Sequence, residues 1–240
     1  SRSSSRNSKK RKLEKVVVAP NEKELLQKLM GQVYYILREP NYLISVEKSQ
    51  LEKENIKAWY TFNMLDPEMS TPQEPYIVSS VSISVKTAPI LIPSITRTTI
   101  TRSIRPQMLD TFHIELVDTP HEAYRGNGYA TLLLIYGICY LKILLTNIKI
   151  FTLNDESVRN THIAGNIYHK LGFVYMDRRS IDLSRRNKTK PIDTTKPIDT
   201  TKILNFNIEP IEYWVNGRCL GLINQTREKW GMHQIDPMDG

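Results

Sequence analysis

The junction at residues 124–130 constrains the fold more than any other part of the chain. It reads YRGNGYA and lies between an extended pattern, TFHIELVDT, and an almost wholly apolar run, TLLLIYGICYLKILL. A strand that turns through glycines directly into a helix leaves the first helical N–H groups unpaired and pointing the same way. Glycine also permits positive φ and removes side chains that would keep a ligand off the backbone. The junction therefore predicts a binding site for phosphate or diphosphate. The alternative is a glycine turn with a purely structural role.

Two common phosphate-binding motifs do not fit this junction. A P-loop requires Lys and then Ser or Thr after its last glycine, whereas Gly128 is followed by Tyr129 and Ala130. A dinucleotide fingerprint requires a small residue three positions beyond Gly128, where this chain has Thr131. Neither of these nucleotide-binding classes is therefore expected.

Composition favours a folded, soluble protein. The chain has 240 residues, of which 40% are hydrophobic and 24% charged. Its longest apolar stretch, residues 132–145, is interrupted by Lys142 and is shorter than the roughly 20 residues that cross a membrane. With no secretory pattern at the N-terminus, we expect an intracellular location, cytoplasmic or nuclear, and no membrane partner.

The net charge of +8 comes largely from the N-terminal segment. Lys and Arg crowd residues 1–18, where Glu14 is the only acidic residue. Such a segment is typical of a disordered tail that contacts nucleic acid or directs nuclear import, or of a merely solvated arm. We predict a basic tail over residues 1–18.

The cysteines and histidines do not suggest a metal or a disulfide framework. Cys139 lies in the apolar run and Cys219 is far from it in sequence. The five histidines have no zinc-like spacing with them. We therefore expect reduced thiols and no metal.

Hydrophobic periodicity predicts helices between Pro20 and Pro40, from about 131 to 145, and over 154–171 with a C-terminal cap at Gly172. Strand patterns cover residues 41–48, 56–65, 74–87, 108–119, 147–153, 173–183 and 203–215. Residues 87–106 are expected to form a loop or an irregular edge, and 184–202, which contain KPIDTT twice, a mobile loop. This order predicts a single mixed α/β domain over residues 19–240.

A second motif follows the glycine junction. Arg125, Gly128 and Ala130 match the pattern R/Q-x-x-G-x-G/A, and AGNIYHKLGF follows at 164–173. Together they resemble the GNAT superfamily of acetyl-coenzyme A-dependent N-acetyltransferases, whose diphosphate loop has the first pattern and whose next helix ends in A-x-x-L-Y-x-K-x-G-F. The residues that fit the second pattern are Ala164, Ile167 in the leucine position, Tyr168, Lys170, Gly172 and Phe173.

The resemblance has two departures. The family's turn Pro-Glu-Tyr-Arg is PHEAYR here, with two additional residues. An asparagine that usually precedes the motif alanine by three positions is replaced by Thr161, with Asn160 one place earlier. Asn160 is therefore the candidate for the asparagine contact to the cofactor.

The resemblance implies a three-layer fold: a central, twisted, mostly antiparallel sheet with one splayed parallel strand pair, and helices on both faces. The slot between the splayed strands would bind the pantetheine arm of acetyl-CoA, and the glycine turn would bind its diphosphate, with added charge from Arg125. The residues implied in cofactor binding are Leu116, Val117, Tyr124, Arg125, Gly126, Asn127, Gly128, Tyr129, Ala130, Thr131 and Asn160.

Catalysis in this family is direct attack of an amine on the thioester within a ternary complex. The amine must lose a proton and the thiolate must gain one. Tyr168 matches a tyrosine that lies near the sulfur in many members and is the candidate acid; its alternative role is packing. For the base the candidates are Glu115 and His113, expected on the same face of their strand, opposite Phe112, Ile114 and Leu116.

The predicted function is transfer of an acetyl group to a primary amine, on a protein lysine, a protein N-terminus or a small molecule. The alternative is a non-catalytic GNAT-like binding protein whose basic tail contacts nucleic acid. Strong, salt-sensitive binding to DNA without acetyl transfer would favour that alternative.

Overall fold

The computed structural model of the chain describes residues 21–50, 55–90, 93–96, 99–102, 106–155, 167–176 and 201–238. The predicted basic tail, Asn160, Thr161, Ala164 and the KPIDTT repeats lie outside these residues. The same holds for most of the predicted helix 154–171 and for residues 177–183 of a predicted strand.

The first predicted helix is confirmed as α1, Glu22–Arg38. Asn21 begins it, since its side chain accepts a hydrogen bond from the backbone N–H of Lys23 at 3.2 Å. Its buried face repeats at helical spacing and comprises Leu25, Leu26, Leu29, Val33, Ile36 and Leu37.

Seven strands form the central sheet, in the order β1-β2-β3-β6-β7-β9-β8. Their bounds are β1 Leu43–Ser49, β2 Ile56–Asp66, β3 Tyr76–Ile90, β6 Gln107–Asp118, β7 Ile150–Asn154, β8 Val174–Tyr175 and β9 Thr201–Asn205. Of the two alternatives for residues 87–106, a loop or an irregular edge, the loop is wrong for most of the segment: β3 continues to Ile90, and a separate hairpin of β4 Pro93–Thr96 and β5 Thr99–Arg102 follows. The β-branched Ile and Thr residues of this segment suit a strand, and Pro93 is the first residue of its strand, a position that tolerates proline.

All neighbours in the sheet are antiparallel except β6 and β7. The connection between these two is α2, Tyr129–Leu144, the predicted apolar helix. Parallel neighbours require such a crossover, and α2 is buried because it lies across the sheet. Gly137 permits close packing, since a Cβ there would lie 3.3 Å from the ring of Phe62 and 3.5 Å from Ile83. The chain thus has a mixed α/β fold with a mostly antiparallel sheet and one parallel pair.

A bulge in β6 changes the predicted alternation of its side chains. Ile83 of β3 pairs with Ile114, but the next pair is Ser82 with Leu116, so Glu115 is the additional residue. Beyond the bulge the faces exchange: Val117 packs against the core, whereas Leu116 is 50% exposed. The prediction that Leu116 shares a face with Phe112 and Ile114 is therefore wrong, because it assumed an uninterrupted period of two.

The C-terminal part contains a helix, whose first residues, 211–215, fall within the predicted strand. β9 ends at Asn205, and after Pro210 a continuous helix, α4, covers residues 211–229 as the α-helical turn Ile211–Tyr213, the π-helical segment Trp214–Cys219 and the α-helix Leu220–Lys229. Its buried residues recur at helical spacing: Ile211, Trp214, Val215, Cys219, Leu222, Ile223 and Thr226. The predicted strand over 203–215 is thus wrong beyond Asn205. Residues 232–238 have no regular structure.

The short helix α3, Ile167–Lys170, ends as predicted at Gly172. Gly172 has φ +94°, its N–H donates to His169 O at 3.0 Å, and the N–H of Phe173 donates to Tyr168 O at 2.9 Å. This pattern is a Schellman cap, which requires the left-handed conformation that glycine adopts without strain. Among the helices of the described residues, none is long and apolar enough to span a membrane.

Candidate active site

The glycine junction forms the N-terminus of α2 through two glycines in the left-handed region. Gly126 has φ +77° and Gly128, the N-cap residue, has φ +91°. No side chain caps the first turn, so the N–H groups of Tyr129, Ala130 and Thr131 have no partner within the helix. The local geometry is that of an anion site.

The two glycines have different surroundings. A Cβ at Gly128 would lie 2.6 Å from Oγ1 and 2.9 Å from Cγ2 of Thr226 in α4, whereas a Cβ at Gly126 would meet nothing within 4 Å. Gly128 is therefore required by the packing of α4 on the turn. Gly126 is the position where absence of a side chain leaves space for a ligand.

The C-terminal part of the chain fastens the glycine turn. Lys229 Nζ donates to Gly126 O at 2.9 Å, and Trp230 Nε1 donates to Asn127 O at 3.2 Å. The ring of Trp230 packs against that of Tyr129 at 5.1 Å between centroids. These contacts hold the turn against the C-terminal part of the chain.

Arg125 has a structural partner of its own. Its Nε donates to Thr119 O at 3.0 Å and its terminal nitrogen to Pro120 O at 3.3 Å. It therefore closes the turn after β6 and is not among the side chains that line the cleft described next.

A cleft of about 280 Å³ opens between the glycine turn, α3 and α4. It is lined by Thr119, Tyr124, Gly126, Gly128, Tyr129, Ala130, Thr131, Ile167, Lys170, Leu222, Gln225, Thr226 and Lys229. Among the described residues, the lining contains two lysines, one on each helical wall, and no carboxylate. Both the helix terminus and the side chains thus favour an anion.

The parallel ladder of β6 and β7 ends near this cleft. Its last pair is Ile114 with Leu153, yet β6 continues to Asp118. On that side, Leu116 and Val117 have no strand partner among the described residues. Beyond Ile114 the backbone of β6 thus has no ladder hydrogen bonds to another strand on this side among the described residues.

Tyr168 lies on α3, between the cleft residues Ile167 and Lys170. Its ring packs edge-on against Phe173 at 6.2 Å. Burial, and secondarily the charge of Asp155, raise the pKa of Tyr168 to about 12. The hydroxyl is consequently protonated at neutral pH, as a general acid must be.

The two candidate bases come together on the polar face of β6. Oε1 of Glu115 accepts a hydrogen bond from Ser84 Oγ at 2.6 Å and lies 3.7 Å from Lys86 Nζ. Oε2 of Glu115 lies 3.8 Å from Nε2 of His113, whose Nδ1 is 2.8 Å from Oγ1 of Thr152. The side chain of Glu115 is 26% exposed and that of His113 is 8% exposed.

Burial, and secondarily the charge of Lys86, lower the pKa of His113 to about 4, against the opposing effect of Glu115. The imidazole is therefore neutral at pH 7 and holds an added proton weakly. Of the two candidates, Glu115 is the more accessible group and is fixed by two partners on β3.

Comparison of the sequence with models of known protein families finds no match, and comparison with curated proteins finds none. The family resemblance therefore depends on the residues themselves.

Sequence reasoning missed the wall that α4 contributes, including Gln225, Thr226 and Lys229. The signal was present, since buried positions from Ile211 to Thr226 follow a helical period. It also missed Ser84 and Lys86, whose role depends on the pairing of β3 with β6. The sequence of a single strand does not show which residues of a neighbouring strand lie opposite it.

A buried ion pair lies at the end of β7. Lys202 Nζ is 2.5 Å from Asp155 Oδ2, both side chains are 1% exposed, and Lys202 also lies over the ring of Tyr175 at 4.8 Å. The hydroxyl of Tyr175 is buried without a hydrogen-bond partner among the described residues. Asp155 of this pair is the carboxylate whose charge contributes to the raised pKa of Tyr168.

Cys139 and Cys219 are free and buried, and burial raises the pKa of both thiols. Among the described residues, no cluster of His, Cys, Asp or Glu has the arrangement of a metal site.

Proposed function

We propose that the protein is an acetyl-CoA-dependent N-acetyltransferase of the GNAT type. One observation carries the proposal: the parallel ladder of β6 and β7 ends beside a cationic cleft at the N-terminus of the crossover helix between these strands. An extended thiol arm requires unpaired strand backbone, and its diphosphate requires amides and positive charge. Both are adjacent here.

The residues present fit such a ligand. Diphosphate would be held by the N–H groups of the first turn of α2 and by Lys170 and Lys229, next to the open space at Gly126. Backbone groups of Leu116 and Val117 would hold the arm. Arg125 would contribute through its position in the turn, without lining the cleft.

Acetyl-CoA would supply an activated acetyl thioester. Glu115 would accept a proton from the amine, and Tyr168 would donate one to the departing sulfur. Neutral His113, with its pKa of about 4, is a poorer base than the carboxylate in this role. The acceptor is a primary amine, on a protein lysine, a protein N-terminus or a small molecule.

Calorimetric titration of acetyl-CoA into three proteins tests the proposal. The native chain and Gly31→Glu should bind, because residue 31 is exposed and a Cβ there meets nothing within 4 Å. Gly126→Glu places a carboxylate at the cleft and should weaken binding at least about tenfold, a loss typical of one charged contact. Absence of binding by a native chain whose folding is verified by circular dichroism would overturn the proposal.

Transfer is then measured with lysine peptides and small amines, using Tyr168→Phe as the catalytic control. We expect transfer by the native chain and at least a tenfold loss in the variant, because acid catalysis typically contributes about 100-fold or more. Tight binding of acetyl-CoA without transfer to any of these amines would favour the non-catalytic alternative.

A further inference from the structure

A short segment after α4, residues 232–238, is held by the side chains of that helix, and we call it the strap. It has no regular secondary structure. It runs antiparallel to α4, because its second residue contacts Arg227, near the end of the helix, and its last contacts Asn216, near the start. Among the described residues, the backbone of the strap beyond Met232 forms hydrogen bonds with side chains of α4 only.

Two asparagines of α4 bind the backbone of the strap. Nδ2 of Asn224 donates to Ile235 O at 3.0 Å, and Oδ1 of Asn224 accepts from the N–H of Ile235 at 2.9 Å. Asn216 makes the same pair of bonds with Met238, at 3.1 and 2.9 Å. Each asparagine thus satisfies both backbone groups of one residue, as a neighbouring strand would. Binding of this kind does not depend on the identity of the bound residue.

The π-helical segment Trp214–Cys219 helps to bring these asparagines into line. They are eight positions apart, whereas two turns of an α-helix take about 7.2 residues. A π-helical turn contains more residues, so it moves Asn216 towards the side of α4 that carries Asn224. Such turns are frequent at functional sites.

The side chains of the strap repeat with a period of three. Met232, Ile235 and Met238 are partly buried against the hydrophobic core, whereas the four residues between them are exposed. A period of three is that of polyproline II, which many peptide ligands adopt. Main-chain hydrogen bonds, combined with sites for regularly spaced side chains, are the usual features of a peptide-binding surface.

The strap leaves one donor of this surface unused. Arg227 is 6% exposed, its Nε donates to His233 O, and its guanidinium lies over the ring of Tyr35 at 5.5 Å. Its Nη1 is buried without a hydrogen-bond partner, and Arg227 forms no ion pair among the described residues. A buried donor without an acceptor is destabilising. A segment with a carboxylate at this position would therefore fit the surface better than the strap does.

We infer that this side of α4 is a peptide-binding surface, which the strap occupies in cis and an acidic, extended segment of another protein occupies in trans. The two asparagines would hold the backbone of that segment, and Arg227 would pair with its carboxylate. Its apolar residues, spaced three apart, would replace those of the strap. This function goes beyond acetyl transfer and does not depend on it.

Binding of a fluorescent peptide to the full chain tests the inference. The peptide has the strap sequence with the substitution His233→Glu. In the chain, Ile235→Ser with Met238→Ser, here the serine variant, weakens the strap and leaves α4 unchanged. Fluorescence anisotropy should show binding to the serine variant and binding at least about tenfold weaker to the native chain, because a tethered competitor acts at a millimolar effective concentration.

Two controls define the surface and its charge preference. Addition of Asn216→Ala and Asn224→Ala to the serine variant should weaken binding at least about tenfold, since four hydrogen bonds to the backbone are lost. A peptide with His233→Lys should bind at least about fivefold more weakly than the peptide with His233→Glu. Absence of binding to a folded serine variant, equal affinities of the serine variant and the native chain, or equal affinities of the two peptides would each overturn the inference.

Methyl NMR of the methionine-labelled native chain provides a test that needs no destabilising variant. Excess unlabelled peptide should move the signals of Met232 and Met238, assigned by substitution with leucine, towards those of an exposed methionine such as Met69. Unchanged signals at about 10 mM peptide, above the effective concentration of the tether, would overturn the inference.

Light scattering identifies the competing occupant, the strap of a second copy. A native dimer that the serine variant does not form would assign the surface to that second copy and overturn binding of another protein. None of these measurements involves acetyl-CoA, so their failure is distinguishable from failure of the proposed function.

Discussion

At the scale of single residues, the two glycines of the turn are required for different physical reasons. Gly126 faces open space at the cleft, whereas Gly128 lies under the side chain of Thr226. Both have positive φ. The glycine pattern in the sequence therefore reflects two separate requirements: space for a ligand at Gly126 and packing against α4 at Gly128.

Alanine substitution at the two glycines should separate these requirements. Gly126→Ala should lower the free energy of unfolding by about 1–2 kcal/mol, the cost of positive φ for an L-residue. Gly128→Ala carries the same backbone cost and adds a steric conflict with Thr226, so it should lose roughly 1–3 kcal/mol more. Urea unfolding measures both values.

The double variant Gly128→Ala with Thr226→Ala is the control. It removes Oγ1 and Cγ2 of Thr226 and should recover the steric part only. Equal destabilisation by Gly126→Ala and Gly128→Ala would contradict the packing role of Gly128.

At the scale of elements, α4 connects the two sequence motifs. Thr226 of α4 packs on Gly128 of the first motif. At the second motif, a Cβ on Gly172 would lie only 2.7 Å from Nε of Arg218, which is also in α4 and forms an ion pair with Glu209. Each motif glycine thus leaves room for a residue of the C-terminal part. The cleft between the motifs depends on this helix as much as on the motifs.

Lys229→Ala tests the contribution of α4 to the cleft. The substitution removes one of the two lining lysines and the bond to Gly126 O, and should weaken acetyl-CoA binding about tenfold, as expected for a charged hydrogen bond. Calorimetry of Lys23→Ala, an exposed lysine of α1 away from the cleft, provides the matched control. Equal dissociation constants for the two variants would exclude Lys229 from the site.

At the scale of the whole molecule, one buried histidine links stability to pH. The pKa of His113 is lowered to about 4 in the fold from 6.5 in the exposed state. Between these values the unfolded chain binds a proton that the folded chain does not, so acidification favours unfolding. This contribution to stability is fully present above pH 6.5 and is lost as pH falls towards 4.

Urea unfolding at pH 7 and pH 5 measures this effect. From pH 7 to pH 5, the free energy of unfolding of the native chain should fall by about 2 kcal/mol more than that of His113→Gln. The comparison isolates His113, because the other titrating groups are common to both proteins. Equal losses in the two proteins would show that His113 is protonated in the fold as readily as in the unfolded chain.

The elements near the glycine junction could be predicted because their signals are local: an apolar run for α2, and a glycine after a helical pattern for the cap at Gly172. The first residues of α4, 211–215, are predicted as a strand because they are rich in aromatic and β-branched residues, which outweigh their helical spacing. The bulge at Glu115 and the support from Ser84 and Lys86 depend on register between strands, which no single segment encodes.

The buried pair of Asp155 and Lys202 has a consequence for how this protein can evolve. Loss of Asp155 leaves the charge of Lys202 inside the fold without this carboxylate, at a cost of about 3–5 kcal/mol. That cost is comparable to much of the net stability of an ordinary domain, which is about 5–15 kcal/mol. We therefore expect a substitution of Asp155 alone to be selected against, and the two positions, far apart in the chain, to change together.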